Sequence, residues 1–115
     1  MAIKEGNITI MVNDMDRSIS FYQAIGLTLK NRWGNYYAQL TAPGLTIGLH
    51  PGGDTTQPTT TDNISIGFTT DNFEETQALL QKLSIDTASR QEEGGAFLHF
   101  TDPDGTPLYF IKPKW

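Results

Sequence analysis

A turn sequence lies near the end of the chain: Phe100-Thr101-Asp102-Pro103-Asp104-Gly105-Thr106-Pro107-Leu108-Tyr109-Phe110. It stands between two runs that are rich in apolar and aromatic residues. Pro103 presets its own φ, and Gly105 supplies the positive φ that closes such turns. Asp102 and Asp104 can each bond the backbone two residues further on. The stretch therefore predicts a β-hairpin.

The start of the chain predicts one strand and one helix. Apolar and polar residues alternate over 7–12, which is typical of a strand with one covered face. Asp14 or Asp16 can cap the helix expected over 16–25, and Gly26 supplies its C-terminal stop.

Three further strands are predicted before a polar segment, over 27–33, 36–41 and 45–49. The first two are joined by Gly34-Asn35, a pair that suits a tight hairpin. Residues 51–62 are largely Gly, Thr, Asp and Pro, so they predict a connecting loop or a lid.

The second half of the chain repeats the first. The pattern of the first strand and helix recurs without a gap at an offset of 58 positions. Asp71 and Glu74 form a capping-box pattern at the start of the second helix. Strands are expected over 85–88 and 96–101, and the last one over 108–111.

These repeats predict an α+β fold of two βαβββ units. We expect a single domain over 1–115, with repeats at about 1–50 and 63–115 around the linker 51–62. The eight strands are expected to form a curved sheet around a cavity, and the two helices to cover its aliphatic face. The residues predicted to be buried on that face are Ile8, Ile10, Val12, Ile47, Leu49, Ile64, Ile66, Phe68, Leu98, Phe100, Leu108 and Phe110.

Composition excludes several classes of function. The net charge of -5 argues against nucleic acid, because phosphate binding needs a basic face and the eight Lys and Arg residues are scattered. Solubility alone, without any charged partner, also explains this negative charge. The chain has no cysteine, which excludes disulfides and a cysteine nucleophile. Without a secretion signal or an apolar run of membrane-spanning length, we expect a soluble cytoplasmic protein with no membrane partner.

The strand face opposite the aliphatic one combines polar and aromatic residues. In a curved sheet this composition is typical of the wall of a ligand cavity. A solvated outer face is the alternative, which accounts for the Asn, Thr and Gln residues but less readily for the aromatic ones. The residues expected on this face are Asn7, Thr9, Met11, Arg32, Tyr37, Gln39, Thr46, Gly48, His50, Ser65, Phe97, His99 and Tyr109.

The whole chain resembles the glyoxalase / bleomycin resistance / extradiol dioxygenase superfamily, the vicinal oxygen chelate fold. The resemblance rests on the doubled βαβββ order, on the segment 13–22 (Asn-Asp-Met-Asp-Arg-Ser-Ile-Ser-Phe-Tyr) and on the turn over 102–105. Metal-dependent members hold one divalent ion with four His, Gln or Glu side chains, two from each repeat. The resemblance places Asn7, Gly48, Ser65 and Tyr109 at these four positions.

These four residues lack the chemistry of a metal site. Glycine has no side chain to donate, neutral Ser and Tyr are poor ligands, and one Asn carbonyl does not hold a catalytic transition ion. We therefore expect no metal, no other cofactor and no metal-dependent reaction at these positions. A displaced metal site that uses His50 and His99 would still need a third ligand.

Without the metal, the resemblance implies the bleomycin-resistance-like branch, in which a homodimer sequesters a small molecule between its subunits. An aromatic or amphipathic ligand is expected, because Tyr37 and Phe97 occupy equivalent places in the two repeats and can stack on planar groups. Trp33 can stack in the same way, or pair with Tyr36 across the hairpin. The expected ligand-binding residues are Arg32, Trp33, Tyr37, Gln39, His50, Phe97, His99 and Tyr109.

Two other classes of function remain open. One is a lyase, isomerase or dioxygenase-like enzyme that uses the displaced metal site or metal-free acid–base chemistry. In the metal-free version, His50 or His99 is the base, and Tyr109 or Arg32 stabilises an anion. The other class is a purely structural or interaction module.

Overall fold

The computed structural model describes residues 2–52 and 64–113. The chain forms two compact units, residues 1–58 (unit 1) and 59–115 (unit 2). The loop or lid predicted at 51–62 lies almost entirely outside the described residues. The expectation of a single domain over 1–115 stays a prediction.

Unit 1 contains one helix and a four-stranded sheet. Its elements are β1 (Ile8–Val12), α1 (Met15–Ala24), β2 (Thr28–Trp33), β3 (Tyr37–Ala42) and β4 (Leu45–Pro51). The strand order is β1-β4-β3-β2, with β1 parallel to β4 and the other neighbours antiparallel.

Unit 2 repeats this arrangement. Its elements are β5 (Ile66–Thr69), α2 (Phe73–Lys82), β6 (Ala88–Glu92), β7 (Gly95–Thr101) and β8 (Pro107–Pro113), with the strand order β5-β8-β7-β6. The predicted α+β class, the two βαβββ repeats and the eight strands are confirmed. The strand predicted at 85–88 lies instead at Ala88–Glu92. All five residues of β6 are exposed on this edge strand, so the sequence carries no apolar alternation there.

The turn over residues 102–105 has the predicted backbone. Gly105 has a φ of 89°, and its amide donates to the Asp102 carbonyl at 3.0 Å. The Asp102 carboxylate accepts the backbone amides of Asp104 at 2.9 Å and Thr106 at 2.8 Å. Because Asp102 is only 4% exposed, these bonds satisfy a carboxylate that burial would otherwise penalise.

Helix α1 begins at a side-chain cap. Asp14 accepts the Arg17 amide at 3.0 Å, so Asp14 rather than Asp16 is the cap.

Helix α2 begins one residue later than predicted. Asn72 accepts the Glu75 amide at 2.9 Å and donates to the Glu75 carboxylate at 3.2 Å. The box predicted for Asp71 and Glu74 is therefore wrong. The Thr70 hydroxyl accepts the Asn72 amide at 3.1 Å, and Asn72 keeps the extended backbone of a cap residue.

Each sheet buries one aliphatic face. Each such side chain contributes about 1.5–3 kcal/mol when it leaves water. The predicted core residues found buried are Val12, Ile47, Leu49, Ile66, Phe68, Leu98, Phe100, Leu108 and Phe110. The predicted burial of Ile8 and Ile64 is wrong, because their side chains are 42% and 48% exposed. Ile10 is only half-buried. Ile8 and Ile10 lie on the edge strand β1, and Ile64 precedes the edge strand β5.

A β-bulge in β2 reverses the alternation of its side chains. Leu29 pairs with Leu40 and Arg32 with Ala38, which leaves Lys30 as the extra residue. Because Leu40 and Ala38 are fully buried, Arg32 faces the α1 side of the sheet. Its guanidinium lies 2.6 Å from the Asp16 carboxylate in α1. The prediction that Arg32 shares a face with Tyr37 is therefore wrong.

Both helices are ten residues long. Within residues 2–52 and 64–113, no helix is long and apolar enough to cross a membrane.

The corrected cap of α2 predicts a stability difference between two neighbouring substitutions. Asn72→Ala should lower the free energy of unfolding by about 1 kcal/mol, because it removes the bond to the Glu75 amide. Asp71→Ala is the matched control and should change it by less than about 0.5 kcal/mol. Urea denaturation of both variants measures the difference. A larger loss for Asp71→Ala would contradict the cap assignment.

Candidate functional site

Three rings form an aromatic cluster on one face of the unit 2 sheet. They belong to Phe97 and His99 in β7 and Tyr109 in β8. The Phe97 and His99 rings stack with centroids 5.8 Å apart and planes 8° apart, and the Tyr109 ring lies 5.9 Å from each. Since the alternate residues Leu98 and Phe110 are buried, the cluster lies on the face opposite the core.

A glycine in β5 lets the Tyr109 ring lie against the sheet. Gly67 pairs with Tyr109, and a Cβ built at Gly67 would overlap the phenol ring. Any side chain at this position would push the ring away from the strand. Gly67 therefore sets the orientation of Tyr109 in the aromatic cluster.

In unit 1, the hydroxyl of Tyr37 is held by polar neighbours. It accepts the side-chain amide of Asn7 at 2.9 Å and lies 3.3 Å from the Thr9 hydroxyl. The Tyr37 ring crosses Gly48 of β4, where a Cβ would overlap the phenol oxygen and lie 2.7 Å from the Thr9 Oγ1 atom. Gly48 therefore provides the space that the Tyr37 hydroxyl occupies.

Trp33 extends the Tyr37 surface onto β2. The two residues are cross-strand partners, and their rings stack with centroids 5.7 Å and planes 27° apart. Trp33 remains 51% exposed, so part of its ring is available to a ligand. The alternative pairing of Trp33 with Tyr36 is wrong, because Tyr36 lies in the turn with 81% of its surface exposed.

The sequence profile of the Glyoxalase/Bleomycin resistance protein/Dioxygenase superfamily matches residues 6–110. The chain belongs to this superfamily. Among curated proteins, no significant relative was found.

Several solved structures have the same fold as this chain, although their sequence identity to it is low. A glyoxylase/bleomycin resistance protein/dioxygenase domain from Frankia sp. EAN1pec has a TM-score of 0.77 and 21% identity, covering 99% of this chain and all of that one. Lactoylglutathione lyase from Agrobacterium tumefaciens has a TM-score of 0.75 and 13% identity, covering 97% and 94%. The fosfomycin resistance protein FosX from Listeria monocytogenes, complexed with Mn(II) and sulfate, has a TM-score of 0.80 and 18% identity, covering 99% and 93%.

The positions that the superfamily resemblance assigns to metal ligands do not fit a divalent ion in this chain. Gly48 offers no donor, and the Tyr37 hydroxyl fills the space beside it. Asn7 directs its amide nitrogen, which is a hydrogen-bond donor, at that hydroxyl. Ser65 and Tyr109 carry neutral hydroxyls, which are poor ligands. Within the described parts of the chain, no three His, Cys, Asp or Glu residues come together in a metal-binding group.

The two histidines have different surroundings. His50 is exposed on β4, and its Nδ1 donates to the Pro51 carbonyl at 2.6 Å. His99 is half-buried in the aromatic cluster. A displaced metal site that uses both stays a prediction.

The sequence did not predict three polar residues on the ring-bearing faces of the two sheets. Asn31 follows the Lys30 bulge and donates to the Gln39 side chain at 3.3 Å. Arg90 and Glu92 share the face of the aromatic cluster, since Arg90 pairs with Phe97 and Glu92 with Gly95. Arg90 and Glu92 lie on this face because β6 runs over Ala88–Glu92 and not over 85–88, where the sequence predicted it. The offset of 58 positions, which relates Arg32 to Arg90, was the available signal for a second strand arginine.

Two surface cavities lie away from the aromatic rings of both sheets. A groove of about 380 Å³ beside α2 is lined by Thr70, Asp71, Asn72, Glu75, Thr76, Ala78, Leu79 and Lys82. None of the predicted ligand-binding residues lines it. A cavity of about 70 Å³ near the start of β1 includes Asn7 and Gln39. The groove beside α2 is therefore separate from both ring surfaces.

The close approach of Tyr37 to Gly48 predicts a non-additive pair of substitutions. Gly48→Ala should lower the free energy of unfolding by about 1–3 kcal/mol, because the new methyl group displaces the phenol ring. In a Tyr37→Ala background the same change should cost clearly less, because only the Thr9 hydroxyl then lies close to the new methyl group. A double-mutant cycle by urea denaturation measures the coupling. Equal effects in both backgrounds would contradict the contact.

Proposed function

We propose that this chain binds a small aromatic or amphipathic molecule without a metal ion. The observation that carries the proposal is the aromatic cluster on the face opposite the core of unit 2. Its rings contribute nothing to the buried core, yet they are held in fixed mutual orientations. Surfaces of this kind, apolar with a few polar groups among the rings, suit planar ligands.

The energetics of stacking favour a planar ligand for this cluster. One aromatic pair contributes about 0.5–1.5 kcal/mol beyond the area it buries. A planar ligand gains this contribution for each ring face that it covers, and the planes of Phe97 and His99, which differ by only 8°, orient those faces alike. The Tyr109 hydroxyl adds one hydrogen-bonding group at the edge of the surface.

Unit 1 supports the same proposal with a second ring surface. Trp33 offers an exposed ring stacked on Tyr37, whose hydroxyl is fixed by Asn7. A ligand meeting these rings finds groups that are already oriented, so the protein loses less conformational entropy on binding. Both surfaces therefore favour rigid, planar molecules.

We further propose that the binding cavity is completed in a homodimer. The edge strand β1 exposes Ile8 and Met11, which are 42% and 48% accessible. Unpaired edges and exposed apolar side chains are covered by a partner in many proteins. The cytoplasmic location expected from the sequence stays a prediction.

An enzyme without a metal is the second candidate. It is favoured by the proximity of the His99 imidazole to the Tyr109 phenol, whose rings lie 5.9 Å apart. An imidazole can act as a base while a phenol stabilises an anion. Arg32 is excluded from this role because it faces α1 and pairs with Asp16.

The homodimer proposal predicts a particle of twice the chain mass of 12.7 kDa. Sedimentation equilibrium at micromolar concentration measures this mass directly. A Met11→Asp substitution should shift the population toward the monomer, because it replaces an exposed apolar side chain of the edge strand with a charge that an interface would bury. A wild-type protein that sediments as a monomer would contradict the proposal.

The stacking proposal predicts that Phe97→Ala weakens binding of the neutral fluorophore N-phenyl-1-naphthylamine. The expected loss is about 1–3 kcal/mol, since a ring of the cluster is removed. Tyr36→Ala is the matched control, because it removes an aromatic ring that is 81% exposed in a turn. Fluorescence titration gives the affinity, and circular dichroism confirms that both variants are folded.

The same preparation separates the proposal from the enzyme alternatives. Elemental analysis should show no stoichiometric zinc, nickel, iron or manganese. A stoichiometric metal that is lost on His50→Ala or His99→Ala would establish the displaced metal site instead. Equal affinities of wild type and Phe97→Ala for the fluorophore would contradict stacking on the cluster.

A further inference from the structure

We propose that the ligand of the aromatic cluster is an amphipathic anion, and that Arg90 binds its negatively charged group. The inference rests on the proposed binding function and adds the chemical class of the ligand. Its basis is the juxtaposition of an exposed arginine with the rings on one sheet face.

The register of β6 places Arg90 beside the cluster. Arg90 is the cross-strand partner of Phe97, so their Cβ atoms are about 4.5–5.5 Å apart and point to the same face. The pairing of β6 with β7 is continuous from Ala88 to Glu92, without a bulge. An arginine at this position can reach a group attached to a molecule stacked on Phe97.

A comparison with Arg32 shows that this placement is specific to unit 2. The two arginines are 58 positions apart, the offset of the internal repeat. The Lys30 bulge turns Arg32 toward α1, where it bonds the Asp16 carboxylate at 2.6 Å and the Asn35 side chain at 2.9 Å. In register, Arg90 occupies the place that Trp33 has in unit 1.

The donors of Arg90 remain available. The Arg32 guanidinium also donates to the Gly34 carbonyl at 2.8 Å, so several of its donors are engaged. The Arg90 side chain forms no hydrogen bond or ion pair within residues 2–52 and 64–113. A guanidinium presents a planar fork of N–H groups that matches carboxylate, sulfonate and phosphate oxygens.

Glu92 is the competing charge on this face. It pairs with Gly95, two positions along the ladder from Phe97 and away from the other rings. His99 and Tyr109 lie on the other side of Phe97, so a ligand stacked on the cluster meets Arg90 before Glu92. The net charge of -5 opposes an anion at long range, but salt screens that field beyond about 8–10 Å. The local pair with Arg90 therefore determines the preference.

An exposed arginine on an edge strand has an alternative role. Charged side chains there discourage pairing with another sheet. This role predicts that loss of Arg90 increases aggregation and leaves the relative affinity for charged and neutral ligands unchanged. The two roles can therefore be separated by a pair of ligands that differ only in charge.

The test compares 8-anilino-1-naphthalenesulfonate with N-phenyl-1-naphthylamine, which share the same rings and differ by one sulfonate. Wild-type protein should bind the sulfonate more tightly. Arg90→Gln should weaken its binding by about three- to tenfold and leave the neutral compound unaffected. Arg90→Lys should retain part of the preference, because it keeps the charge but loses the planar fork.

Two further variants serve as controls. Lys82→Gln removes one positive charge from unit 2 at an exposed position in α2 and should leave the ratio of the two affinities unchanged. Glu92→Gln should not weaken binding of the sulfonate. An unchanged ratio in Arg90→Gln, or tighter binding of the neutral compound by wild type, would overturn the inference while stacking stands. Failure of both compounds to bind would overturn the proposed function itself.

Discussion

The alternation of side chains along each strand determines which residues of this chain can meet a ligand. One face of each sheet is committed to a core, so the side chains proposed to bind a ligand lie on the opposite face. In β2 the extra residue Lys30 exchanges the two faces for every side chain that follows. Arg32 thereby joins α1 through Asp16, and Trp33 stacks on Tyr37. The composition of the unit 1 surface depends on this single insertion.

A second constraint is the absence of a Cβ beneath the rings of Tyr37 and Tyr109. Gly48 lies under Tyr37 and Gly67 lies under Tyr109, but the two pairs use different strands. In unit 1 the glycine is in β4 and the ring comes from β3, whereas in unit 2 the glycine is in β5 and the ring comes from β8. A donor side chain placed at position 48 would have to displace the Tyr37 ring. The departure from the metal-binding pattern is therefore built into the packing of the sheet.

The sequence predicted those features that local chemistry determines. Alternating apolar residues and turn-forming glycines located most strands, and Asp102 closes its hairpin as expected. Strand β6 was misplaced because none of its residues is buried, and the bulge at Lys30 has no compositional signature. At the second helix, Asp71 and Asn72 each precede a glutamate by three residues, so the local pattern was ambiguous. The repeat resolves it, since Asn72 lies 58 positions after the cap residue Asp14.

The two ring surfaces differ in how their polar groups are arranged. In unit 1 the side chains bond one another, as Asn7 does with Tyr37 and Asn31 with Gln39. Some of their donors and acceptors are therefore already engaged within the protein. In unit 2 the rings stack directly, and stacking alone accepts many planar molecules because each presents a π-face. Discrimination among such molecules then requires a charged group at the border of the stack, and the register of β6 puts Arg90 there.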